Sequence, residues 1–158
     1  MGTLAKKPVR SDVVAGIGAG VVGLFFIIAI WTNLVFPAPI ASGGGAVLTD
    51  PANLREHEWG FNQFSKGGPE ICANQTGSNL NITLTNTGIN LHGFQIVRVD
   101  TGAFLGGLNK TDLLRPGEVR HINVDIGRIA PGSYYYICPV SGHRQKGMIA
   151  PFVVQSGC

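Results

Sequence analysis

Short segments in which apolar and polar residues alternate one for one dominate the chain after residue 46. "NLNITLTN" sets Leu80, Ile82 and Leu84 against Asn and Thr, and "FQIVRV" and "VRHINVDI" alternate in the same way. "SYYYIC" and "MIAPFVVQ" are further runs of strand length. Side chains of a strand point to opposite faces in turn, so period two marks a half-buried strand; a helix would repeat its apolar residues every three or four positions. "QTGS", "NTGIN", "RPGE" and "APGS" separate the runs, and their Gly, Pro and Asn are turn formers. Short strands punctuated at this spacing predict an all-β sandwich or barrel over residues 46–158. Residues 46–69 carry the weakest pattern: "EHEWGFNQF" reads either as an edge strand or as a packed loop. No internal repeat is visible.

A second feature divides the chain. Val13 to Phe36, "VVAGIGAGVVGLFFIIAIWTNLVF", is 24 residues without a charge. As a helix it would measure about 36 Å at 1.5 Å per residue. That exceeds the roughly 30 Å hydrocarbon core of a bilayer, so a single transmembrane helix with some tilt is predicted over residues 13–36. Lys6, Lys7 and Arg10 precede it, which keeps residues 1–12 in the cytoplasm and sends everything after Phe36 out of it. The competing reading is a cleaved signal peptide. The run is longer than the usual 7–15-residue apolar region, and "APIAS" is a poor small-x-small cleavage site, so an uncleaved anchor is favoured. Gly16 and Gly20 form a GxxxG pair, which is either helix composition or a packing face for another helix. "PAPIASGGG", residues 37–45, reads as a linker, stiff at its Pro end and loose at its Gly end.

The net charge of +3 is mostly a topology signal. Residues 1–36 hold three basic residues and one acid; the remainder holds nine basic and eight acidic residues. A β domain so near neutrality lacks the basic footprint of a nucleic-acid binder.

The chemistry-bearing residues concentrate in "YYYICPVSGHRQKGM". Cys138 ends a predicted strand, His143 follows five residues later, and Met148 five after that, at the start of the last strand. Pro139, Gly142 and Gly147 suit the tight turns needed to aim all three side chains at one point. A second histidine must come from elsewhere, and His92, between two strand candidates in "NTGINLHGFQIV", is placed to supply it. One thiolate, two imidazoles and a weak axial thioether form the trigonal donor set of blue copper. Structural zinc asks for four strong donors, usually with several Cys, and calcium or magnesium asks for oxygens. Taken singly, each residue has a plainer reading: Cys and Met as core filler, His as a surface residue. In this order and spacing the metal reading is preferred. His121 looks outward-facing in "VRHINV", and His57 in "REHEW" receives no role. Trp59, Phe61 and Phe64 read as core residues rather than as a docking surface.

"PGSYYYICPVSGHRQKGMIAPFVV" resembles the C-terminal signature of the cupredoxins, and "CPVSGH" is most similar to the sulfocyanins, membrane-anchored blue copper proteins of archaea. "NTGINLHGF" resembles the family's first-histidine segment, and "LLRPGEVRHINVDI" its preceding hairpin. The resemblance implies a Greek-key β-sandwich behind a single N-terminal transmembrane helix, with one type 1 copper ion held by His92, Cys138 and His143 and an axial Met148. It also implies electron shuttling in a respiratory chain, between partners such as a quinol-oxidising complex and a terminal oxidase, with the lipid bilayer as anchor and no small-molecule substrate. His143 would be the solvent-side ligand, set among Pro139, Val140, Gly93 and Gly142. Arg144 and Lys146 flank that patch, either as solvated charges or as steering for an acidic partner.

A binuclear site of the oxidase subunit II type needs a second thiol in this loop, and Val140, Ser141 and Gly142 supply none. A copper nitrite reductase needs a second copper with its own ligands, and His57 and His121 are scattered. A copper store would favour more thiols or methionines than three Cys and two Met. The alternative left open is a fixed subunit of a larger oxidoreductase complex, with or without copper. Once Cys138 is assigned to the metal, Cys72 and Cys158 remain, an even number that suggests a disulfide in an extracytoplasmic domain. The cupredoxin topology implies that they meet at the end away from copper. Asn74, Asn81 and Asn109 open N-x-[ST] sequons, the first and last in predicted loops and Asn81 in a strand.

Overall fold

The computed structural model of the protein describes residues 47–77 and 79–158. The 1–12 segment, the charge-free run 13–36 and the 37–45 linker all lie outside the described residues. Among the described residues no helix is long and apolar enough to cross a membrane.

Among the described residues, nine strands form two sheets. They are β1 (Ala52–His57), β2 (Gly60–Phe61), β3 (Ile71–Asn74), β4 (Asn79–Asn86), β5 (Gln95–Val97), β6 (Phe104–Gly107), β7 (Val119–Asp125), β8 (Gly132–Ile137) and β9 (Ile149–Gln155). One sheet has the order β2-β1-β4-β7 and the other β3-β9-β8-β5-β6. The chain changes sheet repeatedly, and the two parallel pairings, β1 with β4 and β3 with β9, join strands distant in sequence. A 3-10 turn follows β7 at Ile126–Arg128, and one helical turn, His143–Lys146, lies between β8 and β9.

The alternation in sequence becomes alternation in burial. Leu80, Ile82 and Leu84 of β4 face inward, and the register sets Leu80 opposite Val124 and Ile82 opposite Ile122 of β7. Ala52 and Leu54 extend this apolar face on β1. Ile96, Tyr136, Ala150, Phe152 and Val154 line the opposing sheet. Each large side chain so buried contributes about 1.5–3 kcal/mol. Tyr136 is wholly buried, stacks on Phe94 and meets Phe61 edge-on; its hydroxyl donates to the Pro69 carbonyl at 2.7 Å.

Several boundaries differ from the sequence reading. "FQIVRV" yields only a three-residue β5, because Arg98 accepts from the Gly102 amide and donates its own amide to Ala103, turning the chain into β6. β8 stops at Ile137, so Cys138 stands just beyond the strand. Asn74, read as a loop residue, is the last residue of β3; Asn81 is an exposed residue of β4. Within the weakly patterned 46–69 segment, β1 and the two-residue β2 form a hairpin, Glu56 opposite Phe61. Cys72 and Cys158 are joined, with Cα atoms 5.7 Å apart. Cys72 lies level with Val153 and Cys158 follows the end of β9, so the bridge sits at the opposite end of that strand from Met148.

Candidate metal centre

Local hydrogen bonds explain how the loop after β8 closes. The Cys138 amide donates to the Met148 carbonyl at 3.1 Å, and the Met148 amide to the His143 carbonyl at 3.0 Å. The His143 amide donates to Val140, and Lys146 to Gly142, winding the single helical turn. Gly142 begins that turn at φ 82° and Gly147 ends it at φ 128°, conformations that favour glycine. Gly147 is also crowded: a Cβ there would lie 2.9 Å from the Trp59 carbonyl oxygen.

His92 arrives from the β4–β5 connection. It forms an isolated antiparallel bridge with Leu114, exchanging amide bonds of 3.2 and 2.8 Å. Asn86, buried at the end of β4, fixes the approach by donating to the Asn90 and Leu114 carbonyls and accepting from the Gly88 amide.

These segments bring His92, Cys138 and His143 together. One donor atom from each lies within 4.8 Å of the others. The Cys138 sulfur is 3.8 Å from His92 Nδ1 and 3.5 Å from His143 Nδ1, and the two imidazole centroids are 5.0 Å apart. Met148, expected as the axial donor, is fully buried where the loop meets β9 and is hydrogen-bonded through its backbone to both Cys138 and His143.

Burial pushes the Cys138 thiol up to about 11, against the pull of backbone hydrogen bonds from Val140 and Gly93, and the nearby Glu56 pushes the same way as burial. Burial is the main effect lowering both histidines; the adjacent His143 ring lowers His92 further and Lys146 lowers His143 further, against a smaller upward pull from Glu58 on each. Both are therefore neutral at pH 7, the form in which imidazole binds a metal. Two neutral ring nitrogens turned toward one sulfur, with a buried thioether at the end of the same loop, are the donor set of one type 1 copper ion.

The segment without a readable pattern supplies the surroundings. The turn between β1 and β2 carries Glu58, whose Oε1 lies 3.7 Å from His92 Nε2, and Trp59, whose ring meets His143 edge-on at 5.3 Å. Trp59 adopts φ 72°, and Lys146 Nζ stands 3.9 Å over its ring. His143, expected to present its edge to solvent, is 7% exposed; it is the least buried of the three strong donors, yet Trp59 packs on it. Trp59 is thus neither simple core nor open surface. His57 ends β1 just before this turn, its ring within bonding distance of the Glu58 and Asn62 carbonyls, and His121 is exposed beside the Thr83 hydroxyl. Neither reaches the donor cluster.

No protein-family model matches this chain, and no curated protein matches it. Solved structures do. A dithionite-reduced auracyanin from the photosynthetic bacterium Roseiflexus castenholzii aligns at TM-score 0.52 and 20% identity, covering 70% of this chain and 98% of that one. The fold is cupredoxin-like. A multicopper oxidase aligns at TM-score 0.52 and 20% identity over 68% of this chain, and another, from Pseudomonas thermotolerans, at 0.51 and 18% over 70%. This cupredoxin-like chain spans 42% and 30% of those two oxidases. At such identities the likeness concerns the fold; the case for copper rests on the donors.

Proposed function

We propose that this chain is a membrane-anchored, sulfocyanin-like type 1 copper protein that carries single electrons between respiratory-chain components. The observation that carries the proposal is the convergence of the Cys138 sulfur and the Nδ1 atoms of His92 and His143 within one buried cluster. Those three would hold the ion and Met148 would be its axial donor. Copper bound there supplies a one-electron couple between Cu(I) and Cu(II). The chain's own contribution is constraint. Cys138, His143 and Met148 are tied to one another through backbone hydrogen bonds, and His92 is bridged to Leu114, so the donors keep their places when the ion's charge changes. Little rearrangement then accompanies electron transfer.

The surroundings fit transient encounters. Ile89 and Leu91, beside His92, are exposed, and Pro139 and Val140 flank Cys138. An apolar patch with few strong contacts suits weak association at the small end of interface sizes. Arg144 and Lys146 add positive charge that would steer an acidic redox partner, such as a quinol-oxidising complex or a terminal oxidase. The charge-free run 13–36, with its basic flank, would tether the β domain to the outer membrane surface through the 37–45 linker. One alternative is a fixed domain, with or without copper, within a larger redox assembly.

Potentiometric titration of the full chain in detergent tests the proposal. One copper per chain and a reversible transition fitting one electron are expected. Failure to bind copper, or a bound ion that does not cycle, refutes it.

A further inference from the structure

Glu58 stands out among the residues outside the donor set. It belongs to the β1–β2 turn, yet its carboxylate reaches the segment that delivers His92. Oε1 accepts the Ile89 amide at 2.7 Å, the Asn90 amide at 3.0 Å and the Asn90 side-chain amide at 3.2 Å. The same oxygen is 3.7 Å from His92 Nε2. That nitrogen is buried and has no hydrogen-bond partner among the described residues. His92 has two ring nitrogens: Nδ1 faces the Cys138 sulfur, and Nε2 faces a carboxylate.

A neutral imidazole carries one proton, and its second nitrogen's partner decides which nitrogen holds it. An anion at Nε2 places the proton there and leaves the Nδ1 lone pair free. We propose that Glu58 is the positioning residue of the copper site, holding His92 in the Nε2–H tautomer through its carboxylate and biasing the bound ion toward its oxidised state. The inference rests on the copper reading above. Metal-binding histidines commonly lean on such a carboxylate, which fixes the ring and strengthens it as a donor, and removing the partner costs 10–100-fold in metal affinity or activity. The negative charge also stabilises the more highly charged ion of the couple. Three N–H donors from Ile89 and Asn90 converge on Oε1 of Glu58, an arrangement that favours a carboxylate over a protonated carboxyl. Space is arranged to match, since a Cβ at Gly88 would lie 2.6 Å from Glu58 Oε1 and 2.8 Å from His92 Nε2.

The plainer account makes Glu58 only a clamp on residues 88–92, and two variants of the full-length protein separate the two. Glu58→Gln keeps an oxygen acceptor for Ile89 and Asn90 and removes the charge; Glu58→Ala removes both. Nitrogen-15 NMR of the copper-free protein should show His92 as the Nε2–H tautomer in the wild type, with that preference weakened in Glu58→Ala. In copper-loaded protein, Glu58→Gln should raise the reduction potential, and Glu58→Ala should weaken copper binding by about 10–100-fold. An unchanged potential in Glu58→Gln, or a wild-type Nδ1–H tautomer, overturns the inference. The tautomer is read without metal, so a wild type that refuses copper would refute the function proposed above while leaving the Glu58–His92 contact tested on its own.

Discussion

Replacing Glu56 with methionine should make the β domain more stable at alkaline pH and remove a pH dependence that the wild type shows. Glu56 faces the core from β1, is 0% exposed, and neither carboxylate oxygen has a hydrogen-bond partner among the described residues. Burial drives its carboxyl from 4.5 up to about 8, and Arg120, itself engaged by Asp112 and Glu118, lowers it only in part. The other ionisable groups felt there are the Tyr136 hydroxyl and the Cys138 thiol. A carboxyl raised in the folded state holds a proton that the unfolded chain has released, so stability declines as pH rises between the two values and levels off above about 8. His92 and His143, both lowered from 6.5 in the folded state, act in the opposite direction below that pH. Glu56 therefore dominates from about pH 6.5 to 8. At 1.36 kcal/mol per unit the decline over that window is about 2 kcal/mol. Methionine has similar length, no charge and no unmet hydrogen bond, so Glu56→Met should abolish the decline and exceed the wild type by more than 2 kcal/mol, roughly, at pH 9. Urea unfolding of the copper-free protein, followed by near-ultraviolet circular dichroism between pH 5 and 9, measures this. A wild-type curve flat from pH 6.5 to 8, or a decline that persists in Glu56→Met, would refute the picture of a buried, unpartnered acid.

Other expectations follow from the same structure. Replacing Cys72 and Cys158 with serine opens an 86-residue loop and should cost roughly 4–5 kcal/mol in urea unfolding, with copper binding retained because the bridge lies at the far end of β9. Since the Cys138 thiol rests near 11 and both histidines are neutral, Cu(I) binding at pH 7–9 should release about one proton and tighten about tenfold per pH unit; calorimetry in buffers of different ionisation enthalpy counts it. Met148→Leu should keep one copper per chain and raise the reduction potential, measured by voltammetry, because the soft axial donor is lost from a site that stays buried.

The donor loop was legible because its meaning is local. Three of the expected ligands fall within eleven residues of sequence, and the closing turns carry the glycines such turns require. β4, β7, β8 and β9 were legible because each buries one face, which writes period two into the chain. Residues 46–69 were not, for physical reasons. β2 is only two residues long, too short to show any period. Its neighbours Trp59 and Asn62 sit at positive φ, and Asn62 holds the turn by accepting the Arg55 amide, an arrangement built from side-chain bonding instead of hydrophobic alternation. Glu56 broke the pattern further, a charged residue type at an inward position. The roles of Glu58 and Trp59 are tertiary: each acts on a histidine more than thirty residues away, and nothing near them in sequence announces it. The bridge between Cys72 and Cys158 was suggested by the even number of cysteines left beside Cys138 and its place by the family's strand order, not by the spacing of the two cysteines.

The optical and EPR spectra of the copper-loaded full chain test the central claim most directly. Ligation by the Cys138 thiolate and two imidazoles predicts an intense visible band near the red, a narrow parallel copper hyperfine splitting, and the loss of both in Cys138→Ser. A colourless copper complex, or one whose colour survives Cys138→Ser, would contradict it.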